Sequence, residues 1–440
     1  MWKEVSDKLF SQMPSIGGVK EHLDQRTRGD KYIWGLVLVL SLISIMVVYS
    51  ATGSLAYKMS KGNTSIYLFK QVAFTLLGLL VVFGLHRVNY TVFSKVATVL
   101  FILSVPLLIY TLFFGAKINE GSRWIKLPII NLTIQSSDVA KLALFMYISR
   151  VLSRKQEVIK DFKKGFWPVI WPVLLICALI MPANLSNALL TGATSLLLLF
   201  IGRVSLKHIG LVILVALVPV VIIISVAIAT HKTNVSVADG KPVVAEKLKG
   251  FGRFGTWVSR VQDFMYAKDD EVPYQVQQAK IAIANGSVLF GLGPGNSRQR
   301  NFLPQAYNDF IYSVIIEEYG LIGGAFIIFI YLIFLFRCIR IFRKCPYAFG
   351  AFLALGLSFT LVIQAIANMA VNVNIVPVTG VTLPLVSMGG SSFIFTCCSI
   401  GLILSVARNV EQMEGKAPIE TEIEIPEETN ENANETATAN

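Results

Sequence analysis

Charged residues are scarce in this chain. Only 15% of its 440 residues are Asp, Glu, Lys or Arg, whereas a soluble globular domain has roughly a quarter. The five cysteines show no CxxC or Cys/His spacing, which argues against a zinc site and a disulfide scaffold. The net charge of +12 lies mostly in short loops, and the chain has no basic helix or aromatic-basic ladder. No nucleic-acid partner is therefore expected.

Long apolar segments are abundant instead. Hydrophobic residues make up 54% of the chain, and its mean hydropathy is +0.63. Runs near 20 apolar residues can cross the roughly 30 Å of a bilayer core as helices. The sequence predicts an all-α polytopic membrane protein of about ten transmembrane helices. The predicted spans are 32–51, 68–86, 92–114, 138–153, 166–182, 187–203, 208–230, 310–336, 348–373 and 392–410.

Lys and Arg set the predicted topology. They are concentrated in residues 1–31, in the loop 150–164, and after span eight at 337–344. The positive-inside rule places these segments, and hence both termini, in the cytoplasm. The long segment 231–309 between spans seven and eight is then extracytoplasmic. It is also basic, which fits an anionic ligand and lipid headgroups equally well.

Three domains follow from this pattern. Residues 1–31 form a cytoplasmic N-terminal segment and residues 32–410 the membrane domain. Residues 411–440 hold nine Glu and no aromatic residue, which is typical of a disordered tail. Partner docking by the tail is the less favoured alternative.

The first polar cluster lies at the predicted outer start of span four. Ionisable groups at membrane depth are costly, so they are candidate functional residues. Asp138 and Lys141 are spaced i, i+3 and can pair on one helical face, either to orient the span or to contact substrate. Arg123 beside Trp124 suits a phosphate, although an interfacial tryptophan and a headgroup-binding arginine need no ligand.

The second cluster precedes span eight. The glycine-rich segment 291–300 exposes backbone N–H groups that can hold an anion, and Arg298 adds positive charge. Asp309 stands at the entry to the span beside apolar Phe310. Such a carboxylate can be a general base or a metal ligand. From the residues alone an N-cap role is favoured, because Asp caps helices well.

The third cluster joins spans nine and ten. Gln364 and Asn368 lie inside span nine, and Ser387 and Ser391 lie in the Gly- and Pro-rich segment 377–392. Broken backbone at membrane depth is tolerated where it lines a polar cavity. The pattern favours an outward-facing cavity over a simple loop.

Together these motifs resemble the SEDS family (shape, elongation, division and sporulation) over residues 30 to 410. The resemblance rests on Gly-Ser-Arg-Trp-Ile at 121–125, Gln-x-Ser-acid-x-x-Lys at 135–141, Leu-Pro-x-x-x-x-Asp-Phe at 303–310, Glu-Glu-x-Gly at 317–320, and Pro-Val-Thr-Gly through Ser-x-Gly-Gly-Ser-Ser at 377–392. It implies a ten-helix peptidoglycan glycosyltransferase of the bacterial cytoplasmic membrane. Such an enzyme polymerises lipid II with a class B penicillin-binding transpeptidase and other division proteins.

The resemblance also assigns residues. Asp309 matches the family's essential aspartate, which reverses the preference for an N-cap. Three motifs depart from the family pattern: the usual Gln-Pro-Ser-Glu reads Gln-Ser-Ser-Asp at 135–138, the usual Gly-Gly before the loop reads Gly286-Ser287, and a usual Asp is Asn184 here. The Gly-Ser-Arg-Trp form, the Lys-rich N-terminal segment and the long tail look more like the family's division members than its elongation members.

The mechanistic hypothesis gives Asp309 the role of base for the attacking sugar hydroxyl. Cations would stabilise the departing pyrophosphate, and the third cluster would hold sugar and peptide. The candidate substrate-binding residues are Arg123, Asp138, Lys141, Arg298, Gln364, Asn368, Ser387 and Ser391. A divalent cation, Mg or Mn, could bridge Asp309 and pyrophosphate, but no independent ligand set is evident. The rival functions are a lipid II flippase and a non-catalytic division scaffold.

Overall fold

The computed structural model describes residues 29–53, 55, 64–118, 121–126, 133–235, 254–266, 272–287 and 289–414. Residues 1–28 of the predicted N-terminal segment and residues 415–440 of the predicted acidic tail lie outside these ranges. The α-helices are α1 (Lys31–Ala51), α2 (Ser65–Arg87), α3 (Tyr90–Phe114), α4 (Ser136–Arg154), α5 (Trp167–Ile180), α6 (Leu185–Ile201), α7 (Leu206–Val235), α8 (Phe254–Tyr266), α9 (Tyr274–Asn285), α10 (Ile311–Lys344), α11 (Ala348–Asn372) and α12 (Ser391–Glu414). Short helical turns cover Gln156–Val158, Phe162–Phe166 and Gln299–Asn301.

A helix occupies each of the ten predicted spans, and the chain has the fold of a helical polytopic membrane protein. Within the described ranges, eight helices are long and apolar enough to cross a membrane. The other two are α4, which begins with polar residues and carries Asp138 and Lys141, and α6, which is a shorter apolar helix. The exact number of spans and their orientation stay predictions.

Helix α10 differs from the predicted span 310–336. It continues to Lys344, so the basic residues after span eight lie on helix and not in a loop. Cations near a helix C-terminus interact favourably with the helix dipole. Arg337 also pairs with Asp30 at 2.6 Å and stacks over the Tyr32 ring, which fixes this end of α10 to the start of α1.

Helix α10 is also broken near its other end. Gly320 has φ +70° and ψ −174°, which separates a short first piece from the long remainder. A Cβ at this position would lie 2.5 Å from the Leu289 carbonyl oxygen, so only glycine fits the close approach of the loop. The short first piece begins at Ile311, two residues after Asp309.

Two further features fall outside the prediction of spans alone. Three short strands form an antiparallel sheet in the order β1 (Ala116–Ile118), β2 (Gly121–Lys126) and β3 (Thr133–Gln135). The long segment between α7 and α10 contains α8 and α9. Strands and short interfacial helices give weaker hydropathy signals than spans do, so a scan for long apolar runs misses them.

The protein core is built around α11 and α12. In each of them 72% of the most apolar window is buried, against 11% in α7. Helix α11 contacts α10, α4 and α6, and α12 contacts α2. The segment 373–390 between α11 and α12 therefore lies at the centre of one end of the bundle, where the third polar cluster was predicted.

Candidate active site

Residues 373–390, which we call the re-entrant segment, form turns and extended backbone without a helix or strand, as the Gly- and Pro-rich sequence predicts. Because few of its carbonyls pair within the segment, side chains from four helices satisfy them. The donors and acceptors are Arg260 Nη1 to Val378 (3.0 Å), Asn368 Nδ2 to Val381 (2.7 Å), Gln364 Nε2 to Thr382 (3.0 Å), Tyr331 Oη to Pro384, and Ser44 Oγ to Val386 (2.8 Å). These contacts hold the segment in one conformation.

Asp309 lies against this fixed segment. Its carbonyl oxygen accepts hydrogen bonds from the side-chain amides of Asn368 and Asn372, both at 2.9 Å. On the re-entrant side, a Cβ at Gly380 would lie 3.6 Å from Asp309 Oδ2. Ser387 Oγ donates to the carbonyl of Asn308 at 2.7 Å. The carboxylate is thus half-buried, with its main chain held from two sides.

The structure does not give Asp309 the N-cap role that the residues alone favour. Phe310 occupies the N-cap position, and its side chain makes no capping hydrogen bond. The N–H of Ser313, the third residue of α10, donates to Asn372 Oδ1 at 3.0 Å. A side chain from α11 therefore performs the capping, and the alternative favoured from residue chemistry was wrong.

Tyr307 lies close to the carboxylate. Burial raises the pKa of Tyr307, and the neighbouring Tyr67 and Asp309 raise it further. Its backbone carbonyl accepts the N–H of Met388 at 2.9 Å. The phenol thus stays neutral at physiological pH and can serve as a hydrogen-bond donor.

Asp138 and Lys141 form the predicted pair at the start of α4. Lys141 Nζ lies 2.9 Å from Asp138 Oδ1, and Ser392 Oγ donates to Asp138 Oδ2 at 2.5 Å. Both side chains line a polar pocket together with Gln364 of α11. Desolvated and hydrogen-bonded on both sides, the pair can position an ammonium group for an anionic ligand.

Helix α11 connects this pocket with Asp309. Gln364 and Asn368 are spaced i, i+4 and lie on one face of the helix. Gln364 lines the Asp138–Lys141 pocket, and Asn368 bonds to Asp309. Of the candidate residues, the structure thus places Asp309, Asn368, Gln364 and the Asp138–Lys141 pair along one face of α11.

Three of the predicted substrate-binding residues mainly shape the backbone. Asn368 is 1% exposed and divides its amide between Asp309 and Val381. Ser387 accepts the N–H of Leu383 at 2.8 Å. Ser391 Oγ accepts the N–H of Gln135 at 3.3 Å. These contacts support the site, and they leave direct substrate binding by the three side chains as a prediction.

The glycine-rich segment before α10 binds the carboxylate of one of the protein's own residues, Glu317. The backbone N–H groups of Arg298 and Gln299 donate to the carboxylate of Glu317 at 3.2 Å. Ser297 Oγ donates to the same group, which is fully buried. Glu317 therefore occupies these donors, and the exposed Arg298 side chain remains the candidate cation of the loop.

Arg123 is described only through its backbone. It lies in β2, where the neighbouring Trp124 pairs with Gln135 of β3. Because β3 leads directly into α4, the strand is placed near the start of the Asp138–Lys141 helix. The side chain of Arg123 lies outside the described part of the structure, so its predicted role stays a prediction.

An apolar cavity lies against residues 377–379 of the re-entrant segment. It has a volume of about 440 Å³ and lies between α6, α7, α8 and residues 377–379. Of the described residues that line it, only Arg260 is charged. Arg260 also donates to Val378, two residues before Gly380. The cavity thus shares a wall with the Asp309 site.

Sequence reasoning missed Arg260, Asn372 and Glu317. Arg260 lies on α8, whose alternation of apolar and polar residues in a basic loop could have indicated an interfacial helix. Asn372 is four residues after Asn368, and this spacing places both amides on one helical face. Glu317 appeared only as part of a family motif. For metal ions, the described residues contain no group of three or more His, Cys, Asp or Glu side chains that could form a site.

Replacing Gly380 tests whether the re-entrant backbone positions Asp309. Gly380 has φ +67°, where an L side chain costs about 1–2 kcal/mol. We expect Gly380→Ala to lower the activity of the protein because relaxation of this strain moves the segment that faces the carboxylate. Activity and thermal unfolding of the variant should be measured beside Gly84→Ala, where an added Cβ meets no atom within 4 Å. Equal activity in the two variants would contradict the expectation.

Comparison with known proteins identifies close likenesses. The family model for FtsW, RodA and SpoVE, described as "Cell cycle protein", matches residues 30–412. The probable peptidoglycan glycosyltransferase FtsW of Nitrosococcus halophilus is 32% identical over 405 residues, covering 91% of this chain and 96% of the relative. Stage V sporulation protein E of Bacillus subtilis is 29% identical over 394 residues, covering 87% and 98%.

Solved structures show the same fold. A chain from a peptidoglycan synthase complex, described for its coordination of polymerization and crosslinking, superposes with a TM-score of 0.64 at 25% identity. The alignment covers 87% of this chain and 99% of that one. The rod shape determining protein RodA of Thermus thermophilus superposes with a TM-score of 0.59 at 21% identity, covering 87% and 97%.

Proposed function

Because the chain belongs to the FtsW, RodA and SpoVE family of cell cycle proteins, we propose that it is a peptidoglycan glycosyltransferase that polymerises lipid II. The reaction takes place at the outer face of the cytoplasmic membrane during cell division. One observation carries the proposal: the Asp309 carboxylate lies against a fixed re-entrant segment, with the Lys141 ammonium in a pocket along the same face of α11.

Glycan growth needs a base, cations and an apolar groove. A sugar hydroxyl of the acceptor attacks the anomeric carbon of the donor while lipid pyrophosphate departs. Asp309 takes the hydroxyl proton. Lys141, together with Arg123 and Arg298, stabilises the negative charge that develops on the pyrophosphate. Attack by the acceptor in a single displacement inverts the anomeric centre.

The apolar cavity beside residues 377–379 suits the polyprenyl chain of the donor. Its lining is apolar except for a few polar groups and Arg260, and an amphiphile with one anionic end matches that distribution. The Arg260 guanidinium fits a phosphate, which would compete for it with the neighbouring Asp263 carboxylate. The lipid thus enters from the membrane side and presents its pyrophosphate towards Asp309.

Replacing Arg260 tests this binding mode. We expect Arg260→Gln to raise the KM for lipid II about tenfold, because one desolvated charged hydrogen bond contributes roughly 1.5–3 kcal/mol. Arg260→Lys should be intermediate. The matched control is Gln262→Leu, which removes α8 contacts to Ala227 and Thr230 without touching the cavity lining. An equal KM in Arg260→Gln and wild type would contradict this assignment.

The partners and location follow from the same proposal. A class B penicillin-binding transpeptidase would crosslink the new strands, and the likeness to a peptidoglycan synthase complex supports such a partner. The similarity to several FtsW proteins favours the division septum and other division proteins over an elongation role.

A divalent cation is a separate question. Asp309 is the residue that would hold Mg²⁺ or Mn²⁺ at this site. Substrate phosphate and water would supply the remaining ligands of the ion, as they commonly do for Mg²⁺. It would supply charge neutralisation for the leaving group. The roles given to Asp309 and Lys141 do not depend on it.

The flippase alternative requires polar lining across the whole membrane. In the half of the bundle away from Asp309, buried hydroxyls such as Ser149 and Ser358 donate to carbonyls of their own helices, which builds no polar path.

Polymerisation of purified lipid II by the purified protein with its transpeptidase tests the enzyme. Absence of glycan polymer with the wild-type pair would overturn the proposed function.

A further inference from the structure

A carboxylate directly before an apolar helix usually becomes part of that helix's N-terminus. Asp is among the best N-cap residues, because its oxygen accepts the N–H of the second or third helical residue. A carboxylate used in this way gains hydrogen bonds in its charged form and becomes a weaker base. Asp309 stands directly before Phe310, the N-cap residue of α10, so a catalytic role requires that something else perform the capping.

Asn372 provides that cap from another helix. Its Oδ1 accepts both the N–H of Ser313 at 3.0 Å and the Ser313 hydroxyl at 2.8 Å. Ser313 is the third residue of α10, which is one of the two positions whose N–H an ordinary N-cap side chain satisfies. Both residues are essentially buried, Asn372 at 1% and Ser313 at 0% exposure. Water therefore does not replace this acceptor.

The same side chain also holds the main chain of Asp309. Asn372 Nδ2 donates to the Asp309 carbonyl oxygen at 2.9 Å and to the carbonyl of Asn368 at 2.8 Å. Asn368 donates to the Asp309 carbonyl from one turn earlier on α11. The side-chain amide of Asn372 thus accepts the Ser313 N–H and also holds the main chain of Asp309. Asp309 is the residue that would otherwise supply the capping acceptor.

We propose that Asn372 is a positioning residue: it caps α10 from α11 and thereby keeps the Asp309 carboxylate out of the helix N-terminus and directed at the re-entrant segment. The inference rests on the proposed function for its catalytic consequence, whereas the capping itself does not. Asparagine suits this position because it combines an acceptor and a donor without charge. An aspartate there would add a second negative charge beside Asp309.

Amide exchange tests the capping independently of activity. Hydrogen–deuterium exchange is measured on peptides covering residues 309–316 of the full-length protein in detergent, for wild type, Asn372→Ala, Ser313→Ala and Asp309→Ala. Exchange in the first turn of α10 should rise in Asn372→Ala and stay at the wild-type level in Asp309→Ala. Increased exchange in Asp309→Ala, or unchanged exchange in Asn372→Ala, would overturn the assignment of the cap.

Steady-state kinetics test the positioning role. With the transpeptidase partner present, Asn372→Ala should lower kcat by about 100-fold, the loss that misplacement of a reacting group by about 1 Å can cause, with KM within about twofold of wild type. The matched control Ser313→Ala removes the hydroxyl but keeps the N–H, so its kcat should fall less than about threefold. A wild-type kcat in Asn372→Ala, or a parallel change in kcat and KM, would overturn the positioning role. Failure of the wild-type protein to polymerise lipid II would instead refute the proposed function, and the exchange result would still decide the capping.

Discussion

Asp309→Asn is expected to reduce lipid II polymerisation by at least about 100-fold, the lower range of what general base catalysis contributes. The amide has the shape of the carboxylate but cannot accept the proton of the attacking hydroxyl. The contacts to Asn368 and Asn372 use the main-chain carbonyl, so the substitution leaves them intact. Glycan product is quantified after enzymatic digestion, with the variant and its transpeptidase partner at wild-type concentrations.

The control for this variant is a carboxylate away from the site. Asp161 accepts the N–H groups of Lys163 and Lys164 at the start of the helical turn Phe162–Phe166. Asp161→Asn removes the same charge and should polymerise lipid II at close to the wild-type rate. An Asp309→Asn protein that matches this control would exclude Asp309 as the base.

The second large effect is expected at Lys141. Lys141→Met should lower kcat/KM by about 100-fold, the scale of losing one charge-stabilising donor in a water-excluded site. The variant by itself is ambiguous, because it leaves Asp138 buried without its 2.9 Å partner. An uncompensated buried charge is destabilising even when its partner has no catalytic role.

The double variant Asp138→Asn with Lys141→Met separates the two roles of Lys141. If the lysine only balances Asp138, removing both charges should restore stability and activity together. If its ammonium stabilises the leaving pyrophosphate, stability should recover while activity stays low. We expect the second outcome, measured by thermal unfolding and polymerisation in parallel, and recovery of both would contradict it.

The sequence predicted the helices well because the signal is large. A run of about 20 apolar residues has few alternatives to a spanning helix, and the predicted ends of most spans lie within a few residues of the observed ones. The extension of α10 to Lys344 was missed because hydropathy falls at Arg337 while the backbone stays helical. Hydropathy reports where a segment leaves the hydrocarbon, and a helix can continue beyond that point.

The site was only partly predictable for a different reason. Asp309 and the Asp138–Lys141 pair could be chosen from local chemistry and the family motifs. The roles of Asn372 and Arg260 depend on which helices pack together. Asn372 reaches Ser313 across 59 positions of sequence, and Arg260 reaches Val378 across 118. Such long-range contacts leave no local pattern, so residue chemistry wrongly favoured Asp309 as the cap.

The most direct test of the central claim reconstitutes the purified protein in liposomes with lipid II, with and without its transpeptidase partner, and compares the wild type with Asp309→Ala. Glycan polymer and lipid II translocation are measured in the same vesicles. The account predicts polymer from the wild type with its partner and none from Asp309→Ala. Undiminished polymer from Asp309→Ala, or lipid II translocation by the wild type without bond formation, would contradict it.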